Sequence, residues 1–163
     1  MPTEMARKFR NALGCFTTGV CVAAARDAGG EAIGLTINSF ASVSLEPPLI
    51  LWSLDKGSDR MAVFEGASSF AVSVLGEADQ ALSQRLARKG EGLLEAGEWR
   101  AGPTGAPVLA QAIAHFDCDV FARYEGGDHV ILLGHVRDFG LQEGDPPLIY
   151  FRGRYRELAP AKA

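Results

Sequence analysis

The chain has 163 residues, of which 47% are hydrophobic and 22% are charged, as expected for one globular domain with a substantial core. Its formal net charge of −4 disfavours nucleic acid and anionic membranes as partners, because both attract basic surfaces. No apolar run is long enough for a spanning helix, and the N-terminus lacks the apolar core of a signal peptide, so we expect a cytoplasmic protein.

The first half of the chain predicts one long helix followed by strands. Apolar residues recur at spacings of three and four between residues 3 and 16, with Thr3 as N-cap, and we expect this stripe to cover one end of a sheet. Pro47 and Pro48 suit the start of a strand that is apolar on both faces and is therefore expected to be central. Apolar residues between turn signals, continuous in the third segment, predict strands at 18–25, 32–38, 49–54 and 69–75.

The second half predicts a helix, a long loop and further strands. The helix is expected at 77–88, where Ala78, Leu82 and Leu86 align, and the glycine-rich stretch 89–107 is expected to be a loop. Strands are predicted at 111–125, 129–139 and 148–158, with a tight turn at 126–128. Because the strands occur mostly as hairpins, we predict a mainly β fold, an antiparallel barrel with peripheral helices.

The cysteines and histidines predict no metal site. Cys15, Cys21 and Cys118 form no CxxC pair, and we expect them to be free thiols. His115 and Cys118 are close in sequence, but alternation along a strand would place their side chains on opposite faces of the sheet.

The stretch 34–60 carries more polar side chains than a sheet core needs. Donors and acceptors for the rim of a flat heteroaromatic ring are available from its first half: Thr36, Asn38, Ser39, Ser42 and Ser44. Ser58 is expected to cap a short helix through residue 64, and Lys56 and Arg60 lie beside it, as a phosphate site requires. Since no GxGxxG motif indicates a Rossmann site, the residues favour FMN, FAD or pyridoxal phosphate, with solvated surface as the alternative.

Several segments resemble the flavin reductase-like family, which includes the reductase components of two-component flavin-dependent monooxygenases. They are FTTGVCVAAA, GLTINSFASVSLEPPLILWSLDKGSDR, GGDHVILLGHV and PLIYFRGRY, and the resemblance extends over nearly the whole chain. It implies an FMN-binding split barrel, a single domain over residues 1–163, and a homodimer with flavin near the subunit interface. It also implies a partner monooxygenase that receives reduced flavin.

The resemblance assigns roles to individual positions. His129, in the GDH hairpin, and Tyr155 match positions on the nicotinamide side of the site. The flavin side, from the isoalloxazine and ribityl wall to the phosphate region, matches a longer set: Thr36, Ile37, Asn38, Ser39, Ser42, Val43, Ser44, Ser53, Lys56, Ser58, Arg60 and Arg85. No residue matches a catalytic acid or base.

The implied reaction is hydride transfer from NADH or NADPH to FMN or FAD, with the protein stacking the two rings and supplying no acid or base. Two alternatives remain at this point. One is a non-enzymatic split-barrel protein that binds flavin or haem, and the other is an FMN-dependent oxidase of the pyridoxamine-phosphate type. The latter would need a more basic substrate pocket than the sequence indicates.

Overall fold

The structure, a computed structural model, describes residues 3–143 and 145–159. Over these residues the helices are α1 (Glu4–Leu13), α2 (Met61–Gly66) and α3 (Gln80–Leu86), with a 3₁₀ helix at Glu77–Asp79. The strands are β1 (Thr18–Gly19), β2 (Cys21–Arg26), β3 (Ala32–Ile37), β4 (Ala41–Leu45), β5 (Pro48–Asp55), β6 (Ser69–Val74), β7 (Trp99–Ala101), β8 (Pro107–Leu109), β9 (Ala114–Gly126), β10 (His129–Leu141), β11 (Ile149–Phe151) and β12 (Arg154–Arg156). None of these helices has the length and apolar character needed to cross a membrane.

Seven strands form the main sheet, in the order β3-β2-β6-β9-β10-β5-β4, and every neighbouring pair is antiparallel. Smaller sheets are formed by β1-β11-β12 and by β7-β8. The predicted mainly β fold with peripheral helices is therefore confirmed. Strand β5 has a partner on each side, as expected from its apolar sequence, although it lies next to the edge strand β4.

The main sheet curls so that its distant parts meet. Strands β3 and β5 are five steps apart in the sheet, which would separate them by about 24 Å if it were flat. Yet Ser39, two residues beyond β3, accepts a hydrogen bond through Oγ from the Ser53 amide of β5 at 2.9 Å. The curl brings the end of β3 beside the end of β5, and the candidate site lies at this meeting point.

Two apolar clusters occupy the two faces of the curled sheet. Inside, the ring of Trp52 contacts Phe64 and Phe70 with centroid distances of 4.8 and 5.9 Å. Outside, Leu86 of α3 and Leu94 pack with side chains from the sheet. Fully burying side chains of this size contributes about 1.5–3 kcal/mol each, so both clusters stabilise the sheet that carries the site.

Helix α1 is capped as predicted, since Thr3 Oγ1 accepts a hydrogen bond from the Ala6 amide at 3.2 Å. The expectation that its apolar stripe covers the sheet is wrong. No residue of α1 is buried, and the stripe formed by Met5, Phe9, Leu13 and Phe16 is 58–79% exposed. The spacing of apolar residues predicted the helix correctly, but it did not indicate which surface the apolar stripe packs against.

The predicted strand at 18–25 is two strands, β1 and β2, which belong to different sheets. The predicted strand at 148–158 is also two strands, β11 and β12, joined by a turn in which Arg152 and Gly153 have φ angles of 49° and 75°. An arginine with positive φ is an unusual turn residue, so the sequence carried no clear signal of the reversal.

Two other local predictions need correction. The expected helix at 77–88 consists of the 3₁₀ helix followed by the shorter α3. The expected loop at 89–107 is partly regular, because β7 pairs with β8 within and just beyond it. Such short strands show too few alternations to be recognised from sequence.

Candidate functional site

A cavity of about 320 Å³ lies where the ends of β3 and β5 meet the turn 55–60. The lining includes eight of the residues predicted for the flavin and nicotinamide sides: Thr36, Ile37, Asn38, Ser39, Ser53, Ser58, Arg60 and His129. It also includes residues that the sequence did not single out: Leu35, Asp55, Gly57, Asp59, Ala87 and Lys89. Segments far apart in the chain are thus brought together at one place.

The wall after β3 is fixed by hydrogen bonds to neighbouring elements. Thr36 Oγ1 donates to the carbonyl of Ser83 in α3 at 2.7 Å. Ser39 Oγ accepts from the Ser53 amide and lies 3.2 Å from the Ser53 carbonyl. These two hydroxyls therefore hold the wall in position and are already engaged with the protein.

Asn38 lies at the junction of this cavity with a larger groove of about 1040 Å³. The groove is lined by the C-terminal part of α1 and by the β11–β12 hairpin, including Leu13, Phe16 and Tyr150. The cavity therefore continues into an open, mostly apolar surface instead of closing around a small ligand.

The turn 55–60 is organised by Asp55, and the prediction that Ser58 caps α2 is wrong because the N-cap is Arg60. Asp55 accepts hydrogen bonds from the Gly57 amide through Oδ1 at 2.7 Å and from the Ser58 amide through its carbonyl at 2.9 Å. Ser58 Oγ accepts from the Arg60 amide at 3.2 Å, and α2 begins only at Met61, with Arg60 as its N-cap. The amides of Gly57, Ser58 and Arg60 are therefore bonded within the turn.

Arg60 is 4% exposed and joins the turn to the chain segment after α3. Its Nη1 donates to Asp59 Oδ1 at 2.8 Å, and its Nη2 donates to the Arg88 carbonyl. The Gly90 amide donates to Asp59 Oδ2 at 2.6 Å. This bond from Gly90, together with the Arg60 charge, holds the pKa of the Asp59 carboxyl below its usual value.

The hairpin between β9 and β10 places His129 in the cavity beside the start of the turn 55–60, since His129 pairs with Asp55. His129 Nδ1 lies 2.7 Å from Asp128 Oδ1, and this hydrogen bond is the first cause of a lowered pKa for Asp128. An ionised carboxylate only accepts, so Nδ1 donates and Nε2 is the ring nitrogen left for a ligand. The Lys56 amide donates to the Asp128 carbonyl at 3.0 Å and ties the hairpin to the turn 55–60.

The structure places the remaining predicted residues outside this cavity. Ser42, Val43 and Ser44 lie on the edge strand β4, where Val43 is 47% exposed. Tyr155 lies on β12, and its hydroxyl is 2.7 Å from Ser83 Oγ. The Ser83 carbonyl accepts from Thr36 Oγ1, so Ser83 links Tyr155 to the wall of the cavity.

Two side chains that were predicted to bind phosphate already bind other groups of the protein. The Lys56 ammonium pairs with Glu125 on β9 and does not line the cavity. The Arg85 guanidinium binds the Glu98 carboxylate at 2.6 Å and the Leu93 carbonyl at 2.8 Å. Proximity in sequence suggested these cations, but their long side chains reach acidic or carbonyl partners instead.

The residues of the cavity fit a flavin. Leu35 and Ile37 offer an apolar wall, Asn38 and Ser58 offer polar atoms for a ring or ribityl edge, and Lys89 offers a positive charge. A volume of about 320 Å³ with an open connection to the groove suits a ligand held partly at the surface.

Comparisons with known proteins agree with this fit. A family model described as "Flavin reductase like domain" matches residues 13–159. The chain is 45% identical over 143 residues to "FMN reductase (NADH) SmoA" of Agrobacterium fabrum, covering 88% of this chain and 81% of that protein. It is 35% identical over 156 residues to "Flavin-dependent monooxygenase, reductase subunit HsaB" of Rhodococcus jostii, covering 96% of this chain and 80% of that protein.

Among solved structures, the chain is similar to the NADH:FAD oxidoreductase SgcE6 of Streptomyces globisporus in complex with NAD and FAD fragments. The TM-score is 0.88 at 34% identity, and the match covers 98% of this chain and 97% of that one. This likeness, over almost the full length of both chains, confirms the predicted split-barrel fold.

Proposed function

We propose, on the premise that this chain belongs to the flavin reductase-like family, that it transfers hydride from NADH or NADPH to FMN or FAD. The observation that carries the proposal is the convergence of residues 36–39, the turn 55–60 and His129 on one cavity. These are the segments for which the resemblance predicts the flavin and the nicotinamide. The similarity to an FMN reductase that uses NADH supports NADH as donor and FMN as acceptor.

The flavin itself, when bound, supplies the hydride acceptor. The protein then positions the flavin ring and the nicotinamide ring and forms hydrogen bonds with their polar edges. The wall at residues 35–38 supports one ring, and Ser39 keeps that wall against β5. His129 presents Nε2 at the hairpin beside Asp55, where it would orient the nicotinamide nucleotide.

Reduced flavin released from this site would go to a partner monooxygenase. The similarity to a monooxygenase reductase subunit supports this part of the proposal. So does the charge of the cavity, where Asp55 and Asp59 oppose Arg60 and Lys89. A nearly balanced site attracts a phosphorylated flavin only modestly, which suits a ligand that has to leave after reduction.

Steady-state oxidation of NADH and NADPH with added FMN and FAD tests the reaction. We expect at least one of the four combinations to run far above the rate without protein. A protein that purifies yellow or red and leaves pyridine nucleotide unoxidised in all four would instead be a binding module.

We further propose a homodimer in which α1 packs on a second copy. Its apolar stripe is exposed in one chain, and it borders the groove that opens into the cavity at Asn38. Burying four large apolar side chains would stabilise the contact by about 1.5–3 kcal/mol each before the cost of association. Phe9→Ser combined with Leu13→Ser should halve the molar mass measured by light scattering, whereas Arg7→Ser on the same helix should not.

The proposal also includes a single domain over residues 1–163 and a cytoplasmic location. The family match to residues 13–159 supports the single domain. Cys21 and Cys118 are buried free thiols, and free thiols are usual in reducing compartments, where NADH and NADPH are supplied. Fractionation of cells followed by immunodetection would test the location.

A further inference from the structure

The cations nearest the candidate site differ in what they already bind. Arg60 donates to Asp59 and to the Arg88 carbonyl, and it is almost completely buried. Lys56 pairs with Glu125, and Arg85 binds Glu98. Their positive charges are therefore largely compensated before any ligand arrives.

Lys89 differs from these three cations. It lines the cavity, it is exposed, and within residues 3–143 and 145–159 its side chain makes neither a hydrogen bond nor an ion pair. Its charge is the one in the cavity that a ligand can use without first displacing a protein partner. An ammonium group also retains three donors for the oxygens of a ligand.

Three backbone amides beside Lys89 in the cavity wall already have acceptors within the protein. The amides of Gly57, Ser58 and Arg60 all donate within the turn 55–60. Helix α2 has six residues, too few to form an anion site at its N-terminus. The positive charge that attracts a phosphate group here must consequently come from a side chain, with the Ser58 hydroxyl hydrogen as a neighbouring donor.

The chain on both sides of Lys89 is anchored. The Arg88 carbonyl accepts from Arg60, and the Gly90 amide donates to Asp59 Oδ2 at 2.6 Å. Gly90 has φ 78°, a conformation that favours glycine and turns the chain back toward β3. The backbone of Lys89 is therefore held in place before a ligand binds, which reduces the entropy lost when its side chain is ordered.

We propose that Lys89 is the residue whose positive charge binds the phosphate group of the flavin, and that Asp59 and Arg60 act as positioning residues for it. The inference rests on the proposed function and deepens it, because it assigns the phosphate end of the ligand to the start of the segment after α3. That segment received no role from the sequence. Lys56 and Arg85, which did receive one, are not needed for this contact.

The test compares FMN with riboflavin, which lacks the phosphate. Equilibrium titration by fluorescence gives the Kd of each flavin for the wild-type protein and for Lys89→Gln. The ratio of the two Kd values isolates the contribution of the phosphate. We expect Lys89→Gln to raise the Kd of FMN about tenfold and to leave that of riboflavin within about twofold, as loss of one charge-assisted contact predicts.

Matched variants separate this role from general effects of charge. Lys89→Arg keeps the charge and should keep the preference for FMN over riboflavin. Arg88→Gln removes the neighbouring charge, whose side chain pairs with Glu91 at 3.6 Å outside the cavity, and should leave the preference unchanged. Binding of FMN by the wild type should also weaken with added salt more steeply than binding by Lys89→Gln.

The inference is overturned if Lys89→Gln weakens FMN and riboflavin equally, or weakens neither. A larger loss of FMN binding in Lys56→Gln than in Lys89→Gln would overturn it as well. Failure of the proposed function looks different, because the wild-type protein would then leave NADH and NADPH unoxidised with either flavin while its binding ratios could still be measured.

Discussion

The turn 55–60 and the β9–β10 hairpin are neighbours in the cavity, where His129 pairs with Asp55, yet these two parts, here called the turn end and the hairpin end, are built in different ways. At the turn end, formed by residues 55–60 and 88–92, Arg60 is 4% exposed and tied to Asp59 and Arg88. At the hairpin end, formed by Asp128 and His129, the side chains are 92% and 41% exposed and joined mainly to each other. The comparison teaches that a substitution at the turn end should change both ligand binding and the stability of the fold. A substitution at the hairpin end should change ligand binding alone.

The most damaging change should be Arg60→Ala. It removes the buried partner of Asp59 and leaves the Arg88 carbonyl with only the longer bond from the Glu91 amide at 3.4 Å, so we expect the free energy of unfolding to fall by about 3 kcal/mol. Chemical denaturation followed by tryptophan fluorescence would measure this loss. Arg60→Lys keeps the charge but not the forked geometry, and it should recover only part of the stability. An Arg60→Ala protein as stable as the wild type would remove the distinction between the two ends.

Gly92→Ala should be the next largest effect at the turn end. An added Cβ would lie 2.7 Å from Arg60 Nε and 3.2 Å from the Gly34 carbonyl oxygen, so neighbouring atoms would have to move. Overpacking of this kind costs about 1–3 kcal/mol in unfolding free energy. Gly66→Ala is a suitable control, because a Cβ there meets nothing within 4 Å. Equal midpoints of denaturation for the two variants would contradict the close packing of Arg60.

At the hairpin end, His129→Ala should change function without changing stability. We expect the KM for the nicotinamide nucleotide to rise about tenfold, equivalent to about 1.4 kcal/mol, while flavin affinity changes less. His135→Ala lies on the same strand but outside the cavity, and its KM should match the wild type. If flavin affinity suffered more than the nucleotide KM, His129 would belong to the flavin side of the site.

The smallest effect should appear in the pH dependence of stability. The pKa of Asp59 is lowered in the folded protein, mainly by the Gly90 amide, so its contribution is present above the unfolded pKa and is lost as pH falls through the folded pKa. The loss should occur below about pH 4, the ordinary pKa of aspartate. Denaturation midpoints for Asp59→Asn should fall less steeply with acid than those of the wild type. If Asp59→Asn left the pH dependence of the denaturation midpoint unchanged, the hydrogen bond from the Gly90 amide to Asp59 would contribute nothing to stability in acid.

Features with a local cause were predictable from the sequence. The start of α1 follows from Thr3 and the apolar spacing behind it, and the reversal at 126–128 follows from paired glycines before an aspartate. The polar side chains at 36–39, together with the family resemblance, indicated the cavity wall, and the succession of hairpins indicated the antiparallel sheet. In each case a few neighbouring residues determine the backbone, so distant contacts are not needed.

Features that depend on distant partners were not predictable. Lys56 and Lys89 both follow an apolar segment, and only the fold shows that the first reaches Glu125 while the second lines the cavity. The error at Ser58 is local instead: Ser58 Oγ accepts from the Arg60 amide, but α2 begins only at Met61, with Arg60 as its N-cap. The roles from Ser42 to Ser44 and of Tyr155 stay predictions, since the structure places these residues beside the cavity and not in it.

The segment that carries Lys89 has one further consequence, for aggregation. Beyond Gly90 it runs along β3, an edge of the main sheet, where the Gly34 amide donates to the Gly92 carbonyl at 2.8 Å and the Leu94 amide donates to the Ala32 carbonyl at 2.9 Å. An uncovered edge is a template on which a strand from another molecule can add. Because the segment forms hydrogen bonds with the backbone of β3, a strand from a neighbouring molecule cannot pair with β3 at these positions.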